Sequence, residues 1–153
     1  MNLTTNYVCN PDDLREVGEH WLKEAKGEEF GFAISVEGII SDSKDWLATG
    51  MGVVIGLCDN QGKYVGFMTV YHVSDFMAVN HVAFEKYWYV MPNFRYGALR
   101  MLSEAKIWAK EQGATHLILS ASAMASDMYN SLCQLYQRYG MKVFEKSYIC
   151  ELE

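Results

Sequence analysis

The sequence lacks the residue clusters that build metal centres. Its four cysteines (Cys9, Cys58, Cys133 and Cys150) are far apart, and no Cys or His pair has the spacing of zinc ligands. The four histidines are equally scattered. We therefore expect no metal site, and free thiols rather than a disulfide framework in a chain with this much apolar content.

Long runs of like charge and long apolar runs are also missing. No five consecutive residues carry the same charge, and the net charge is −6. This balance argues against binding to nucleic acid or to an anionic membrane surface. No apolar run approaches the roughly 18 residues that span a bilayer, and the N-terminus has no secretory pattern. We expect a cytoplasmic protein without a membrane partner.

The residues that are present indicate one compact domain. The chain has 153 residues, of which 50% are hydrophobic and 21% are charged. This length supports one domain with a real core and is short for two. No internal repeat or low-complexity segment interrupts it.

The first third of the chain predicts helices. Asn10 followed by Pro11 is a typical helix start, and apolar residues recur at helical spacing from there to Gly27. Residues 28–41 show no clear pattern, and a second helix is expected within residues 42–49.

The middle of the chain predicts an antiparallel meander of three strands. Apolar runs cover residues 53–58 and 64–73, with a turn at 60–63 between them. A third run covers residues 81–91. Each of these runs is rich in β-branched and aromatic residues, as strands are.

The last third alternates helices and strands. We expect a helix over residues 98–113 and a short buried strand over 116–120. A final helix capped by Ser126 or Asp127 should run to Gly140, and residues 141–152 should form a strand or a hairpin arm. The element order predicts an α/β domain around a mixed sheet.

The segment 87–113 carries the clearest functional signal. A strand ends at Val90, a short loop containing proline, arginine and glycine follows, and an amphipathic helix begins at once. Such a turn gathers unpaired N–H groups and the positive end of a helix dipole, which suits a phosphate. The alternative is an ordinary strand–helix connection that binds nothing.

Four segments in this order resemble the GNAT superfamily of acetyl-CoA-dependent N-acetyltransferases, especially its small phage-type members. Residues 90–95 (VMPNFR) are similar to the end of the family's fourth strand, and 105–114 (AKIWAKEQGA) to the helix after it. Residues 135–141 (LYQRYGM) match the family's L-Y-x-x-x-G-F pattern with Met for Phe, and 148–152 resemble its last strand.

The resemblance implies one N-acetyltransferase domain over residues 1–153, with a mixed, mostly antiparallel sheet flanked by helices. It implies acetyl-CoA as co-substrate and a pantetheine chain between the strand ending at Val90 and the strand at 117–120. Backbone groups at Val90 and Met91 would bind that chain. The family's loop reads R/Q-x-x-G-x-G/A, and the chain has no clean copy of it.

Four residues occupy the position of the family's loop, and their amides are the expected pyrophosphate site: Arg95, Tyr96, Gly97 and Ala98. Gly97 is the one residue among them without a Cβ. Arg100 either adds charge to the same site or lies on the exposed face of the helix.

Two residues are candidates for proton transfer. Tyr136 stands at the family's L-Y position and is the candidate acid for the departing thiolate; the alternative is a core tyrosine. Glu85 is the candidate base, because strict alternation puts it among Tyr87 and Tyr89 and a carboxyl among aromatics has a raised pKa. The alternative is a solvated ion pair with Lys86, and His81 is a second candidate base.

The acceptor is expected to be a small-molecule or peptide amine. Acidic residues in the segment 28–50 and at the tip 74–80 favour a cationic amine such as a polyamine, a lysine or an N-terminus. A homodimer is compatible with the exposed aromatics. The competing interpretation is a GNAT-fold protein that has lost turnover and acts by binding a partner.

Overall fold

A computed structural model describes residues 2–77, 79–125, 127–150 and 152. Within these residues, five strands form one sheet in the order β1-β2-β3-β4-β5. The strands are β1 (Thr4–Tyr7), β2 (Gly52–Cys58), β3 (Tyr64–Phe76), β4 (Asn80–Val90) and β5 (His116–Ile118). The first four are antiparallel to their neighbours, and β5 runs parallel to β4. The mixed, mostly antiparallel sheet expected from the sequence is confirmed.

The described part of the chain also has four α-helices: α1 (Arg15–Glu24), α2 (Val36–Thr49), α3 (Ala98–Glu111) and α4 (Tyr129–Arg138). On β3, the side chains of Phe67, Thr69 and Tyr71 face α1 and α2, and those of the alternate residues Met68, Val70 and His72 face α3. The core lies between the sheet and these helices, with Val54, Phe67, Met101 and Ala105 among its buried members.

The first helical segment begins as expected. Asn10 caps a 3-10 helix at Pro11–Leu14, accepting a hydrogen bond from the Asp12 N–H, and α1 continues from it. The helix ends at Glu24 rather than at Gly27, because Ala25 is already extended. The second helix is longer than the predicted 42–49 segment and covers the ambiguous residues from Val36 onward.

The serine before α2 explains its earlier start. The Ser35 hydroxyl accepts the Gly38 N–H at 3.0 Å, which satisfies one of the free donors of the first turn. The apolar residues Ile39 and Ile40 then pack into the core.

The end of the chain differs from the sequence prediction. Residues 141–150 form no strand. The strand with which they would have to pair, β5, is only three residues long. Helix α4 has no side-chain cap: its cap position is Met128, and Asp127 pairs with Lys26 instead. The alternative cap Ser126 lies outside the described residues. Within the described chain, every helix is too short or too polar to cross a membrane.

A 3-10 helix at Pro92–Gly97 joins β4 to α3 and depends on a close contact at Gly97. A Cβ added at Gly97 would lie 2.5 Å from Leu3 Cδ1 and 3.0 Å from Leu57 Cδ2. The backbone φ of Gly97 is −85°, which any residue adopts. The glycine is therefore required for space between the loop and the sheet, and not for backbone freedom.

Replacing Gly97 with alanine should lower the free energy of unfolding by about 1–3 kcal/mol, because the two buried leucines leave no room for a methyl group. Urea denaturation would measure the loss. Gly38→Ala is the control, since its added methyl meets only the Ser35 hydroxyl, at 3.3 Å. An equal effect in both variants would contradict the packing role of Gly97.

Candidate functional site

Strands β4 and β5 part about halfway along β4, at one end of the strand order. Their pairing covers Val82 with His116, Ala83 with Leu117 and Phe84 with Ile118, and ends there. From residue 85 to 90, β4 keeps β3 on one side and has no paired strand among the described residues on the other. We call this stretch the open edge. An extended ligand can pair with such an unpaired strand edge as an additional strand would.

The hydrogen-bonding groups on the open edge follow from strand alternation. The Met91 N–H donates to the Val65 carbonyl at 2.9 Å and so points toward β3. In a strand the next residues point the opposite way, so the backbone groups of Val90 and Trp88 face the open edge. Of the two residues expected to bind a pantetheine chain, Val90 is therefore in position, and the Met91 N–H is engaged elsewhere.

A β-bulge at Lys86 changes which side of the sheet Glu85 faces. On β3, Thr69 lies opposite Tyr87 and Val70 lies opposite Glu85, so Lys86 is an extra residue. Directly opposed side chains share a face, which puts Glu85 on the α3 side and Tyr87 on the side of α1 and α2. The expectation that Glu85 shares a face with Tyr87 and Tyr89 is wrong, because alternation does not hold across the bulge.

The Glu85 carboxyl is buried at the point where the strands part. Its exposed fraction is 8%, and its Oε2 accepts the Ser120 N–H at 2.9 Å. Burial raises the pKa of Glu85 to about 7, although the hydrogen bond from Ser120 opposes the shift. A carboxyl with this pKa exchanges a proton near neutral pH. The alternative of a solvated ion pair between Glu85 and Lys86 is wrong, because Lys86 is directed to Asp42.

Tyr136 of α4 lies beside this carboxyl. Its hydroxyl donates to the Ser120 carbonyl at 3.0 Å, and its ring stacks on Trp88 with centroids 6.3 Å apart. The pKa of Tyr136 is raised by burial and by the nearby charge of Glu85. The structure thus brings together the two residues that the sequence singled out for proton transfer, with Ser120 between them.

Trp88 is a residue that sequence reasoning missed. Its indole Nε1 is buried without a hydrogen-bond partner in the described part of the chain. A buried N–H without a partner is costly, and it fits a site where a ligand supplies the acceptor. The residue pattern gave no signal for Trp88 or Ser120, because their positions follow from the bulge and from the parting of the strands.

Arg95 is held by an acid from α1. Its Nη2 lies 2.6 Å from Glu24 Oε2, and its Nε donates to the Val90 carbonyl at 3.4 Å. The Tyr89 hydroxyl donates to the other oxygen of Glu24 at 2.6 Å. The carboxylate therefore fixes Arg95 at the end of the open edge, and a guanidinium so placed still has further N–H donors for an anion.

The other loop residues have different surroundings. The Phe94 N–H donates to the Met91 carbonyl, and the Ala98 N–H donates to the Arg95 carbonyl. Two amides near the expected pyrophosphate site are therefore used within the loop. Tyr96 is exposed at the surface. Arg100 donates to the Leu3 carbonyl, which ties α3 to the chain before β1.

The remaining candidates lie apart from this cluster. His81 is at the start of β4, where its Nε2 is 2.9 Å from His72 Nδ1 and its carbonyl accepts the Thr115 N–H. The described residues contain no group of three or more potential metal ligands.

Glutamine at position 85 should stabilise the protein at neutral and alkaline pH and have little effect near pH 4. A folded-state pKa of about 7 against 4.5 means that ionisation of Glu85 costs up to about 3 kcal/mol of folding free energy. The raised pKa makes this cost absent below pH 4.5 and complete above pH 7. Urea denaturation of wild type and Glu85→Gln from pH 4 to pH 8 would measure it.

The control for this comparison is Glu19→Gln, which changes an exposed glutamate of α1. Its free energy of unfolding should stay close to that of wild type over the same pH range. If the difference in unfolding free energy between Glu85→Gln and wild type does not grow with pH, the conclusion that Glu85 is buried with a raised pKa is wrong.

Comparison with known proteins identifies the family and the fold. The model of the acetyltransferase (GNAT) family matches residues 15–141. No curated protein sequence matches the chain.

Solved structures share the fold at low sequence identity. AAC(6')-Iy in complex with the bisubstrate analogue CoA-S-monomethyl-acetylneamine has a TM-score of 0.71 at 14% identity, covering 100% of this chain and 99% of that one. The aminoglycoside 6'-N-acetyltransferase AAC(6')-Ih from Acinetobacter baumannii has 0.70 at 11%, covering 99% of both. A predicted acetyltransferase from Clostridium acetobutylicum, with acetyl-CoA, has 0.70 at 16%, covering 98% and 96%.

Proposed function

Because the chain belongs to the acetyltransferase (GNAT) family, we propose that it transfers an acetyl group from acetyl-CoA to a primary amine by direct attack in a ternary complex. The observation that carries this proposal is the buried Glu85 carboxyl at the point where β4 and β5 part. We propose that residues 1–153 act as one catalytic domain with no metal.

The open edge is the proposed binding site of the pantetheine chain. Backbone groups of Trp88 and Val90 would bind it as a neighbouring strand does, and the Trp88 indole N–H supplies a further donor. Arg95 would contact the pyrophosphate together with the amides of Tyr96 and Gly97. The Ala98 amide, expected at the same site, already donates to the Arg95 carbonyl, so we leave it out. Arg100 has a structural partner in the Leu3 carbonyl, so we assign it no part in this site.

Proton transfer is assigned to the Glu85 and Tyr136 pair. Acetyl-CoA supplies an activated acyl group on sulfur. The acceptor nitrogen forms a bond to the carbonyl carbon, the carbon–sulfur bond breaks, and Glu85 takes the proton that the amine loses. Tyr136 gives its proton to the departing thiolate. The proton then passes from Glu85 to the neighbouring Tyr136, which restores both groups.

A small-molecule amine is the acceptor class that we favour. Three of the structural neighbours are aminoglycoside acetyltransferases by name, and their likeness supports this class without identifying the acceptor. We propose a cytoplasmic protein that has no nucleic-acid or membrane partner and can form a homodimer.

A second candidate is a GNAT-fold protein that binds a partner and has lost turnover. One observation favours it: Glu24 already neutralises Arg95, and the 3-10 helix uses the Phe94 and Ala98 amides internally. This arrangement leaves fewer free groups for a pyrophosphate than an open loop would.

Calorimetric titration with acetyl-CoA separates the two candidates. The enzyme should bind acetyl-CoA, and Arg95→Ala should weaken binding about 10-fold or more through loss of a charged hydrogen bond. Arg138→Ala, which changes an exposed residue of α4, is the control. If wild type does not bind at millimolar acetyl-CoA, the second candidate replaces the first.

Tyr136→Phe should lower kcat by about 10-fold or more while the dissociation constant of acetyl-CoA stays nearly the same, because the ring stack on Trp88 remains and only the proton donor is lost. Steady-state kinetics with a primary alkylamine, together with calorimetry, would measure both. An unchanged kcat would remove Tyr136 from the mechanism.

A further inference from the structure

Lys86, the extra residue of the bulge, has its ammonium beside three groups on the α1 and α2 side of the sheet. Its Nζ lies 5.5 Å from the centroid of the Trp46 ring and 5.8 Å from that of Tyr87. The same nitrogen is 3.8 Å from Asp42 Oδ2. Two aromatic faces and a carboxylate around one cation are the groups that recognise an ammonium ion. We call Asp42, Trp46 and Tyr87 the ammonium cluster.

The ammonium cluster is held in place by contacts that do not involve Lys86. The Tyr87 hydroxyl donates to Asp42 Oδ2 at 2.7 Å, and its ring packs against Trp21 of α1 at 6.1 Å. Trp46 stacks on Tyr71 of β3 with centroids 5.1 Å apart. The three groups are thus fixed by two helices and two strands, and would keep their arrangement if the lysine left.

The cluster borders the open edge. Tyr87 lies two residues beyond Glu85, in the stretch of β4 that does not pair with β5. A ligand bound on the α1 and α2 side would therefore lie next to the place where the strands part. Lys86 itself is only half-covered, and its pair with Asp42 is also half-exposed, so this contact is easily exchanged.

We propose that the ammonium cluster binds a second, non-reacting ammonium of the acceptor, and that Lys86 occupies it when no acceptor is bound. This inference rests on the acetyltransferase function proposed above. An amine held as a cation has no lone pair with which to attack a thioester. The nucleophile must then be a different amino group of the same molecule, which makes the acceptor a flexible diamine or polyamine.

Lys86 also indicates the length of that acceptor. Four methylenes separate its Nζ in the cluster from its Cα, and that Cα lies about 3.8 Å from the Cα of Glu85. 1,4-Diaminobutane has the same four methylenes between its two nitrogens, so with one ammonium in the cluster its other amino group would extend toward the open edge beside residues 85 and 86. The stacked rings of Trp46, Tyr71 and Phe84 provide apolar surface beside it for the methylene chain.

The test compares 1,4-diaminobutane with n-butylamine, which lacks the second amino group. Calorimetry would measure the binding of each, and steady-state kinetics would measure kcat/KM for each with acetyl-CoA. Wild type should favour the diamine by about 5-fold or more in both measurements. Asp42→Asn should abolish this preference, since the amide can still accept the Tyr87 hydroxyl but carries no charge.

Lys86→Met should increase the preference for the diamine, because it removes the competing ammonium while keeping an unbranched side chain. We expect it to raise the diamine's kcat/KM about 3-fold and to leave that of n-butylamine nearly unchanged. The matched control for Asp42→Asn is Glu16→Gln, which also removes one carboxylate charge from a surface pair, that with Lys63, and should retain the wild-type preference.

The ammonium cluster and the acetyl-transfer function can be overturned by different results. Equal binding and equal kcat/KM for the two amines, or a diamine preference that survives Asp42→Asn, would overturn the ammonium cluster while leaving acetyl transfer intact. Absence of turnover with either amine would overturn the proposed function. In that case Asp42-dependent binding of the diamine would still support the cluster, and its loss would overturn it.

Discussion

The extra residue in β4 at Lys86 is the constraint on which the rest of the site depends. It reverses the side on which later residues project, so Glu85 faces α3 and α4 while Tyr87 faces α1 and α2. Strand pairing with β5 ends one residue before Glu85. One irregularity therefore puts Glu85, the proposed base, on one side of the sheet and the proposed ammonium cluster on the other, with the open edge of β4 between them.

Two groups of the site, at Glu85 and Trp88, reduce the stability of the fold. A buried carboxyl at Glu85 costs folding free energy near neutral pH, and an indole N–H at Trp88 is buried without a partner in the described residues. Both costs are easily understood if a ligand occupies the gap between β4 and β5. The Glu24 carboxylate acts in the other direction, since it joins α1 to Tyr89 and Arg95 and so fixes the end of the open edge.

Local patterns predicted the elements, and long-range contacts decided the site. The turn at residues 60–63 and the helical spacing after Gly97 gave the meander and α3 with nearly correct bounds. Tyr136 and Glu85 could be singled out from the resemblance and from chemistry. The face of Glu85 could not, because a bulge adds a residue without any signal in the period-two pattern. The Arg95–Glu24 pair joins residues 71 positions apart, which no local pattern records.

The central claim is that acetyl-CoA binds along the open edge of β4. Residue-resolved amide hydrogen exchange, with and without acetyl-CoA, tests it most directly. Exchange of the Trp88 and Val90 amides should slow on binding, since both face the open edge, while that of Met91 should change little because its N–H already bonds to Val65. Unchanged exchange at Trp88 and Val90 in the presence of saturating acetyl-CoA would contradict the account.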